Sequence, residues 1–438
     1  MKLCLIKARA IYEPGGYGGA DGLLVREGRI ARLGGYDALK RAYPEAETLD
    51  WSALYVLPAL VNTHVHLEFD ATAQARVHYI DETPALRALG AAKRANEALK
   101  SGVATLRDAG SDWTLLDLKT PRAGELCALP RMQMAGPPLT VTGGHLHFLG
   151  EETDGVTDMV RQTRLRQKRG CDAVKLIVTG GQMTPGSVAE RVSMTTEEIR
   201  AVVDEAHLLN VPTFAHCLTT EGFARCMDGG VDCIEHIACF IRNRENGLLE
   251  RVYEPEVMTR YAGQKRYFMM GLSAGYHNLD DFRSRKRPCG ANETFWLEQE
   301  ERMFDIFKKV IALGLLPVCG TDAGTGGTRF DETWLELALM VRRGCLSARE
   351  AIRIGTAQSA ACLGLTRETG AIGEGLSADL IALETDPITC IEALARIDTL
   401  CIDKTGTITT GNMRLAQVCP AAGQPPEAAR EALAAFAA

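Results

Sequence analysis

The sequence predicts a mixed α/β fold, a (β/α)8 barrel with a small β-sandwich domain formed by both chain ends. Two observations support this prediction. Between residues 58 and 365, eight short apolar runs recur, and each is followed by a segment long enough for a helix. Such alternation indicates a parallel sheet. Before and after this region, short β-rich runs and glycine turns replace the alternation.

The eight apolar runs are the predicted strands of the barrel. They cover residues 60–66, 103–108, 132–136, 173–179, 212–216, 233–236, 267–273 and 316–322. Amphipathic stretches at 196–209, 300–313 and 332–341 predict helices between them. Thr195 or Thr196 can cap the first of these helices.

The same change of pattern predicts the domain boundaries. Residues 1–57 and 366–410 are assigned to the β-sandwich, residues 58–365 to the barrel, and residues 411–438 to a loosely packed tail. In the first segment, β-rich runs flank Glu27-Gly28, which is typical of a hairpin.

The composition limits the partners and the compartment of the protein. The 438 residues carry 49 Lys and Arg against 56 Asp and Glu, and this net charge of −7 argues against nucleic acid or an anionic membrane surface as the main partner. No apolar run approaches the length of a membrane span. The 14 cysteines show no paired spacing, and no signal-peptide pattern is visible, which favours a reducing cytoplasm. We expect a cytoplasmic protein with a small-molecule substrate, and association into a homo-oligomer stays open.

Side chains that bind metal ions recur at the ends of the predicted strands. His64 and His66 close the first strand, His216 the fifth, His236 the sixth and Asp322 the eighth. The carboxyl ends of barrel strands form one face, so these side chains should converge there. Buried imidazoles without a partner are costly, whereas nitrogen and oxygen donors without a thiolate suit Zn²⁺, Mn²⁺ or Fe²⁺. The pattern therefore predicts a metal site.

Six stretches, taken in order, resemble the amidohydrolase superfamily. They are residues 57–66, 102–110, 174–176, 215–216, 234–236 and 320–324. The resemblance spans about residues 1–395, and the chain is similar to the branch of binuclear hydrolases that contains prolidase-like dipeptidases and lies near imidazolonepropionase. It implies a TIM barrel that hydrolyses an amide bond, such as that of a dipeptide or an N-acyl amino acid.

The resemblance also implies the metal ligands. Two divalent ions are expected, with zinc as the expected metal. His64, His66 and Asp322 would bind the first ion, and His216 and His236 would bind the second.

Lys175, which lies near the end of the fourth predicted strand, is the remaining ligand that the resemblance implies. It would carry a CO2-derived carbamate that bridges both ions. The residues alone leave two interpretations open, because a lysine in an apolar strand lowers its pKa or finds an anion, and a barrel-interior ion pair would satisfy it equally. In the implied mechanism, the two ions make hydroxide available at neutral pH. Asp322 accepts the proton of the attacking water and passes it to the leaving amine.

Residues that contact the substrate are predicted from loops at the same face. The motif Gly143-Gly144-His145 follows the third strand, where the family often has it, so His145 is assigned to catalysis and to substrate binding. Further candidates for substrate binding are His147, Tyr276 and His277, with roles in loop structure as the alternative. Dipeptidase-like members commonly carry a tyrosine two positions after the strand-five histidine, whereas this chain has Leu218. This departure argues against a simple dipeptide.

Two other functions fit parts of the pattern. A mononuclear deaminase or cyclic amidine (imidazolone) hydrolase could use the same scaffold. Such sites usually lack the strand-four lysine and place an acid near the strand-five histidine, and Glu221 follows His216 by five residues. The other alternative is a non-catalytic metal-binding protein, against which the complete ligand set argues.

A second motif lies near the carboxyl end of the chain. The stretch Asp403-Lys404-Thr405-Gly406-Thr407 resembles the phosphorylation motif of P-type cation pumps. Phosphoryl transfer needs Mg²⁺ and a positioned nucleotide, and no other segment of the sequence has a motif for either. We therefore expect Asp403 to be a turn residue, and residues 396–438 to be a chimeric segment that derives from a gene fusion or from sequence assembly.

Overall fold

The computed structural model describes residues 3–13, 15–284, 290–397 and 399–401. Asp403 and the segment 411–438 lie outside the described residues, so the predicted turn and the predicted loose tail stay predictions. Among the described helices, none combines the length and the apolar character that crossing a bilayer requires.

Seventeen strands lie within the described residues. They are β1 (Leu3–Glu13), β2 (Gly16–Tyr17), β3 (Gly22–Arg26), β4 (Arg29–Gly34), β5 (Glu47–Pro58), β6 (Leu60–Val65), β7 (Val103–Asp108), β8 (Arg131–Met134), β9 (Val174–Ile177), β10 (Thr213–Cys217), β11 (Cys233–His236), β12 (Phe240–Arg242), β13 (Leu249–Arg251), β14 (Tyr267–Met269), β15 (Leu316–Pro317), β16 (Leu380–Leu383) and β17 (Thr399–Cys401). The fold is therefore of the mixed α/β kind, as predicted.

The helices follow the strands along the chain. They are α1 (Tyr36–Ala42), α2 (Ala75–Asp81), α3 (Pro84–Lys100), α4 (Pro121–Leu126), α5 (Gly155–Lys168), α6 (Thr196–Leu208), α7 (Thr220–Gly229), α8 (Pro255–Met258), α9 (Asp280–Ser284), α10 (Ala291–Ala312), α11 (Thr333–Arg342), α12 (Ala348–Arg353) and α13 (Ser359–Cys362). Shorter 3-10 turns occupy Trp113–Lys119, His147–Leu149, Thr259–Tyr261, Tyr276–Leu279 and Ile391–Ala395, and a π-helical turn at Ile354–Gln358 joins α12 to α13. Thr195 caps α6, and its side chain and that of Glu198 form a reciprocal capping box.

Eight parallel strands form the two sheets that carry the site. One sheet has the order β6-β7-β8 and the other the order β15-β14-β11-β10-β9. Each of these strands overlaps one of the eight predicted runs. Single parallel bridges link the two sheets at both seams, from Leu139 to Leu176 and from Val65 to Ala323. β6, β7, β9 and β10 are buried along their whole length, as expected for parallel strands that are covered on both faces.

Strands from both ends of the chain pair in one further sheet. Its order is β17-β16-β5-β1-β3-β4, and β2 pairs with β1. β5 joins the strands of the two chain ends, because it runs parallel to β1 on one side and antiparallel to β16 on the other, with Leu57 opposite Ile381. The predicted hairpin is confirmed, because β3 and β4 pair around Glu27 and Gly28, whose φ angles of 50° and 75° suit a tight hairpin turn.

Candidate metal centre

The parallel strands bring the predicted metal ligands to one edge of the two sheets. These side chains line a common cavity of about 570 Å³: His64, His66, Lys175, His216, His236 and Asp322. A main-chain hydrogen bond links Asp322 to His64, because the backbone N–H of Asp322 donates to the carbonyl of His64 at 3.0 Å. His64, His66, Lys175 and His216 are at least nine-tenths buried.

Three donor atoms converge at the centre of this cluster. His64 Nε2 lies 3.3 Å from His66 Nε2, and one carboxylate oxygen of Asp322, Oδ1, lies 3.1 Å from the first nitrogen and 3.4 Å from the second. One ligand atom each from His64, His236 and Asp322 also falls within 4.8 Å of the others. Two imidazole nitrogens that face each other need a proton or a cation between them, so the donor set fits a divalent ion.

Five imidazole rings form a contiguous row along the cavity. The ring centroids of neighbouring members lie 4.8–5.3 Å apart, in the order His66, His64, His236, His216 and His145. The row joins the first-strand histidines to those of strands five and six. It therefore brings together the histidines that the resemblance implies for both metal ions.

Hydrogen bonds to the far nitrogens orient the rings. His66 Nδ1 lies 3.3 Å from the carbonyl of Gly110, and His216 Nε2 lies 3.0 Å from the carbonyl of Gly180. A carbonyl can only accept, so each of these nitrogens carries the hydrogen and the opposite ring nitrogen keeps its lone pair. His64 Nδ1 lies 2.8 Å from Glu235 Oε2, although the N–H is not aligned well enough for a hydrogen bond. Such partners are typical of histidines that bind metal ions.

Burial and mutual proximity set the protonation of the cluster. Burial lowers the pKa of His145, His216 and His236, the last to about 3, so these rings are neutral at pH 7. Burial opposes ionisation of Asp322, but the contacts of its carboxylate with the first-strand histidines outweigh burial and hold the pKa of this carboxyl well below its usual range. Burial also lowers the pKa of His64, but the charge of Glu235 and the contacts with Asp322 and Glu235 together outweigh burial, and the net shift is upward. Neutral imidazoles beside an ionised carboxylate are the kind of donors that a metal ion requires.

The backbone is strained where the ligands leave their strands. His236 and Asp322 have φ angles of 72° and 60°, and Ile237, a β-branched residue, has 39°. Such angles cost roughly 1–3 kcal/mol each and tend to persist at functional sites. Gly324, at φ 104°, passes so close to the first strand that an added Cβ would lie 2.3 Å from the carbonyl oxygen of His66. The glycine of the predicted Gly-Thr-Asp-Ala-Gly stretch therefore lets the Asp322 loop reach the ligands.

Lys175 is satisfied by a buried ion pair. Its ammonium contacts the carboxylate of Glu235 and lies 4.8 Å from the ring centre of Phe214. The other oxygen of Glu235 accepts from the guanidinium of Arg107 at 3.2 Å, and that arginine also donates to the carbonyl of Thr63 at 2.9 Å. Burial lowers the pKa of Lys175 in spite of the nearby carboxylate. The interior ion pair, one of the two interpretations that the residues left open, is therefore the arrangement in this structure.

Comparison with known proteins agrees with this geometry. The amidohydrolase family profile matches residues 55–409, which is most of the chain. The chain belongs to the amidohydrolase family. A bacterial imidazolonepropionase-like composite domain also matches residues 22–46. Amidohydrolases are typically binuclear metal enzymes, and the prediction of a hydrolase acting on carbon–nitrogen bonds is confirmed.

Individual amidohydrolases resemble the chain over nearly its whole length. Ochratoxinase from Aspergillus niger is 24% identical over 397 residues, which cover 84% of this chain and 78% of ochratoxinase. A crystal structure of A. niger ochratoxinase has a TM-score of 0.75 and 21% identity, over 92% of this chain and 95% of that one. A Xaa-Pro dipeptidase with methionine in its active site has a TM-score of 0.77 and 24% identity, over 92% and 99%. These solved structures show that the fold is shared.

The wall of the amidohydrolase cavity is apolar on one side. Leu218 lines it where dipeptidase-like members commonly have tyrosine, and it packs with Ala238 and Phe240. The last two belong to the long segment after β11, and β12 and β13 form an antiparallel hairpin there. Leu218 supplies no hydrogen bond to a substrate, so polar recognition must come from elsewhere.

His145 lies in the cavity as predicted, and its ring contacts a threonine hydroxyl. Thr184 Oγ1 accepts from the backbone N–H of Leu146 at 2.9 Å and lies 2.8 Å from His145 Nδ1. The contact fits either ring tautomer, and the ring hydrogen lies on Nε2 in the arrangement where the threonine hydroxyl is the donor. Gly181 allows the packing, because an added Cβ would lie 2.5 Å from the His145 ring.

Other predicted residues lie away from the cavity lining. His147 is 3.9 Å from Glu152, His277 pairs with Asp280 and Glu332, and Tyr276 stacks on the guanidinium of Arg283. Their contacts with a substrate stay predictions. Glu221, on which the deaminase alternative depended, is exposed on α7 and pairs with Arg225.

Sequence reasoning assigned no role to three charged residues near the site. Glu235 and Arg107 lie within two of the stretches that resemble the superfamily. The sequence pattern does not indicate that both side chains point inward, where they contact each other. Arg251, in the hairpin after β11, lines the cavity. The signal that could have found the first two is a charge inside an otherwise apolar strand, whereas Arg251 has no such signal.

Proposed function

We propose that this amidohydrolase cleaves the amide bond of an N-acyl amino acid or a dipeptide. The observation that carries the proposal is the convergence of His64, His66 and Asp322 donors at the floor of an open cavity. The names of two similar proteins, ochratoxinase and Xaa-Pro dipeptidase, support an amide substrate. Because Leu218 removes the expected tyrosine, an N-acyl amino acid is preferred over a simple dipeptide.

The proposal includes two divalent ions, with zinc as the expected metal. His64, His66 and Asp322 would hold one ion, and His216 and His236 would hold the other. When bound, such ions polarise the scissile carbonyl and lower the pKa of water. The proposed fold is the predicted one. The two parallel sheets form one closed (β/α)8 barrel, and the sheet from both chain ends forms the small β-sandwich domain.

A carbamate on Lys175 would complete this ligand set. Carbamate formation needs a neutral amine, which the lowered pKa of Lys175 favours. The nitrogen bonds to the carbon of CO2 and releases one proton. Glu235 would lose the ammonium as a partner but would keep the guanidinium of Arg107.

In the hydrolysis, Asp322 moves the proton. The oxygen of the attacking water bonds to the acyl carbon, and its proton passes to the Asp322 carboxylate. The carbon–nitrogen bond breaks as that proton reaches the leaving nitrogen. The low pKa of Asp322 keeps the carboxylate ionised and ready to accept.

His145 would stabilise charge on the substrate. Its pKa is far below neutral, so the ring is uncharged, and in the tautomer that accepts from Thr184 at Nδ1 its Nε2–H is free to donate into the cavity. A donor fixed in this way can face the carbonyl oxygen as negative charge develops on it.

Metal analysis and an assay against N-acyl amino acids and dipeptides test this proposal. We expect two metal ions per chain, hydrolysis of at least one amide, and a carbamate signal in 13C NMR after incubation with labelled bicarbonate. Lys175→Ala should lose that signal, one metal ion and most of the activity. A purified enzyme without metal would refute the proposal. Full activity of Lys175→Ala with one ion would favour the mononuclear alternative.

The cytoplasmic location and the small-molecule partner are parts of the same proposal. So are the domain boundaries at residues 57, 365 and 410. Fractionation of the source cells tests the location, and sedimentation of the purified protein decides whether it forms a homo-oligomer.

A further inference from the structure

Arg251 is a cation in the wall of the catalytic cavity. It ends β13 and lies opposite Phe240 in the hairpin. The cavity that Arg251 lines also contains the six predicted metal ligands. Its backbone N–H donates to Gln299 Oε1 at 2.7 Å, and its carbonyl accepts from Arg302 at 3.4 Å, so α10 fixes the main chain at this point.

The guanidinium of Arg251 has few partners. It donates to the carbonyl of Ala238 at 3.3 Å and lies 4.6 Å from the ring centre of Phe240. Within the described parts of the chain, it forms no ion pair. Its neighbours differ in this respect, because Arg242 pairs with Glu190 and Arg302 with Glu250.

A guanidinium in this position needs an anion. Burial lowers the pKa of Arg251 only to about 10, so the side chain is charged at pH 7. It has five N–H donors, of which one has an acceptor here, and partial burial without a counter-charge is costly. Arginine matches a carboxylate with two parallel hydrogen bonds. The remaining donors are therefore suited to a planar anion in the cavity.

We propose that Arg251 binds the carboxylate of the amino acid that leaves in the reaction. This inference rests on the proposed function, whose candidate substrates all release an amino acid, and it names the residue that binds the carboxylate of that amino acid. Arg251 donates to the carbonyl of Ala238, which follows the predicted ligand His236 by two residues, and Arg251 and His236 line the same cavity. The apolar side chains of Leu218 and Phe240 beside it would face an apolar side chain of the leaving amino acid.

A pair of substrates that differ only in the carboxylate tests this role. N-acyl-leucine and the N-acyl amide of 3-methylbutylamine share the acyl group, the scissile bond and the apolar side chain. We expect the metal-loaded enzyme to prefer N-acyl-leucine. Arg251→Met should lower kcat/KM for N-acyl-leucine by roughly 100-fold, because a desolvated ion pair is lost, and should change kcat/KM for the neutral amide by less than about threefold. Arg251→Lys should recover part of the loss, since a point charge replaces a bidentate donor.

Two controls separate this role from folding and from charge in general. Arg242→Met removes an arginine of the same hairpin that does not line the cavity, and it should leave both substrates unaffected. Arg76→Met removes another arginine of the cavity lining. An equal loss on both substrates in Arg251→Met, or a carboxylate-specific loss in Arg76→Met instead, would overturn the assignment.

Calorimetric binding keeps the test independent of catalysis. N-acyl-leucine should bind the metal-loaded wild type more tightly than the neutral amide, and Arg251→Met should abolish that difference. If the wild type cleaves neither compound, the proposed substrate class fails, yet the binding difference still decides the role of Arg251. Equal affinities of the two compounds for the wild type would refute it.

Discussion

The nine histidines of this protein fall into two groups that differ in burial. Five form the row of rings in the cavity, where their neighbours are other imidazoles, backbone carbonyls and the carboxylates of Glu235 and Asp322. The other four lie outside the cavity lining, each beside a carboxylate: His78, His147, His207 and His277. In the first group, burial lowers the pKa of three rings, and carboxylates raise the pKa of His64; in the second group, carboxylates raise the pKa of two members that are more exposed to solvent. The surroundings, and not the residue type, separate metal ligands from charge carriers.

Asp322→Asn should have the largest effect, because Asp322 is the one carboxylate that we propose to act on the reacting water beside the cavity histidines. The amide keeps the shape but cannot accept the proton of the attacking water. We expect kcat to fall by roughly 1,000-fold, measured together with metal content. Asp331→Asn, at an exposed carboxylate that pairs with Arg329, is the matched control and should be neutral. A kcat of Asp322→Asn within tenfold of the wild type would contradict the role of Asp322.

Thr184→Val tests whether the surroundings of one cavity histidine, His145, control its activity. The substitution removes the hydroxyl that can donate to His145 Nδ1, so the ring hydrogen is no longer held on Nε2. We expect kcat to fall by roughly tenfold, the lower end of the effect of losing a partner that orients a site histidine. KM and metal content should change little.

The control for that substitution is Thr142→Val. Thr142 is an exposed residue of the loop that carries His145, and its hydroxyl contacts Asp154. If both valine variants lose the same activity, the loop as a whole is responsible and the tautomer argument fails.

The sequence was sufficient to predict the histidines of the cavity because they lie at or just after the ends of strands. An apolar run followed by a polar side chain marks the end of a buried strand, and parallel strands end at one edge. Glu235 escaped this reasoning because alternation along a strand should send it and His236 to opposite sides. The left-handed backbone of His236 breaks the alternation, so both side chains reach the site.

The outer residues were harder to predict because tertiary contacts place them. His147, Tyr276 and His277 follow strands three and seven, as a substrate-binding residue would, but their partners are carboxylates and an arginine from elsewhere in the chain. Arg251 is the opposite case, a residue that lines the cavity but was not predicted. It belongs to a hairpin that contacts α10. The composition of a loop indicates neither which partners its residues find nor whether the loop lies over the cavity.

His277→Gln tests the outer group and should have the smallest effect. A hydrogen bond that His277 donates to Asp280 raises the pKa of His277 against the effect of burial, and the charge of Glu332 raises it further. The folded protein therefore binds a proton here more tightly than the unfolded chain, whose histidine has a pKa of about 6.5. The stabilisation is complete below that value and is lost as pH rises through the higher pKa of the folded state. Because the side chain is 40% exposed, the effect should not exceed about 1 kcal/mol. Denaturation of both proteins at pH 5.5 and pH 9 should show a lower free energy of unfolding for His277→Gln at the acidic pH, with the difference gone at the alkaline one. Activity should stay within twofold; a tenfold rise in KM would instead return His277 to the substrate-binding residues that the sequence predicted.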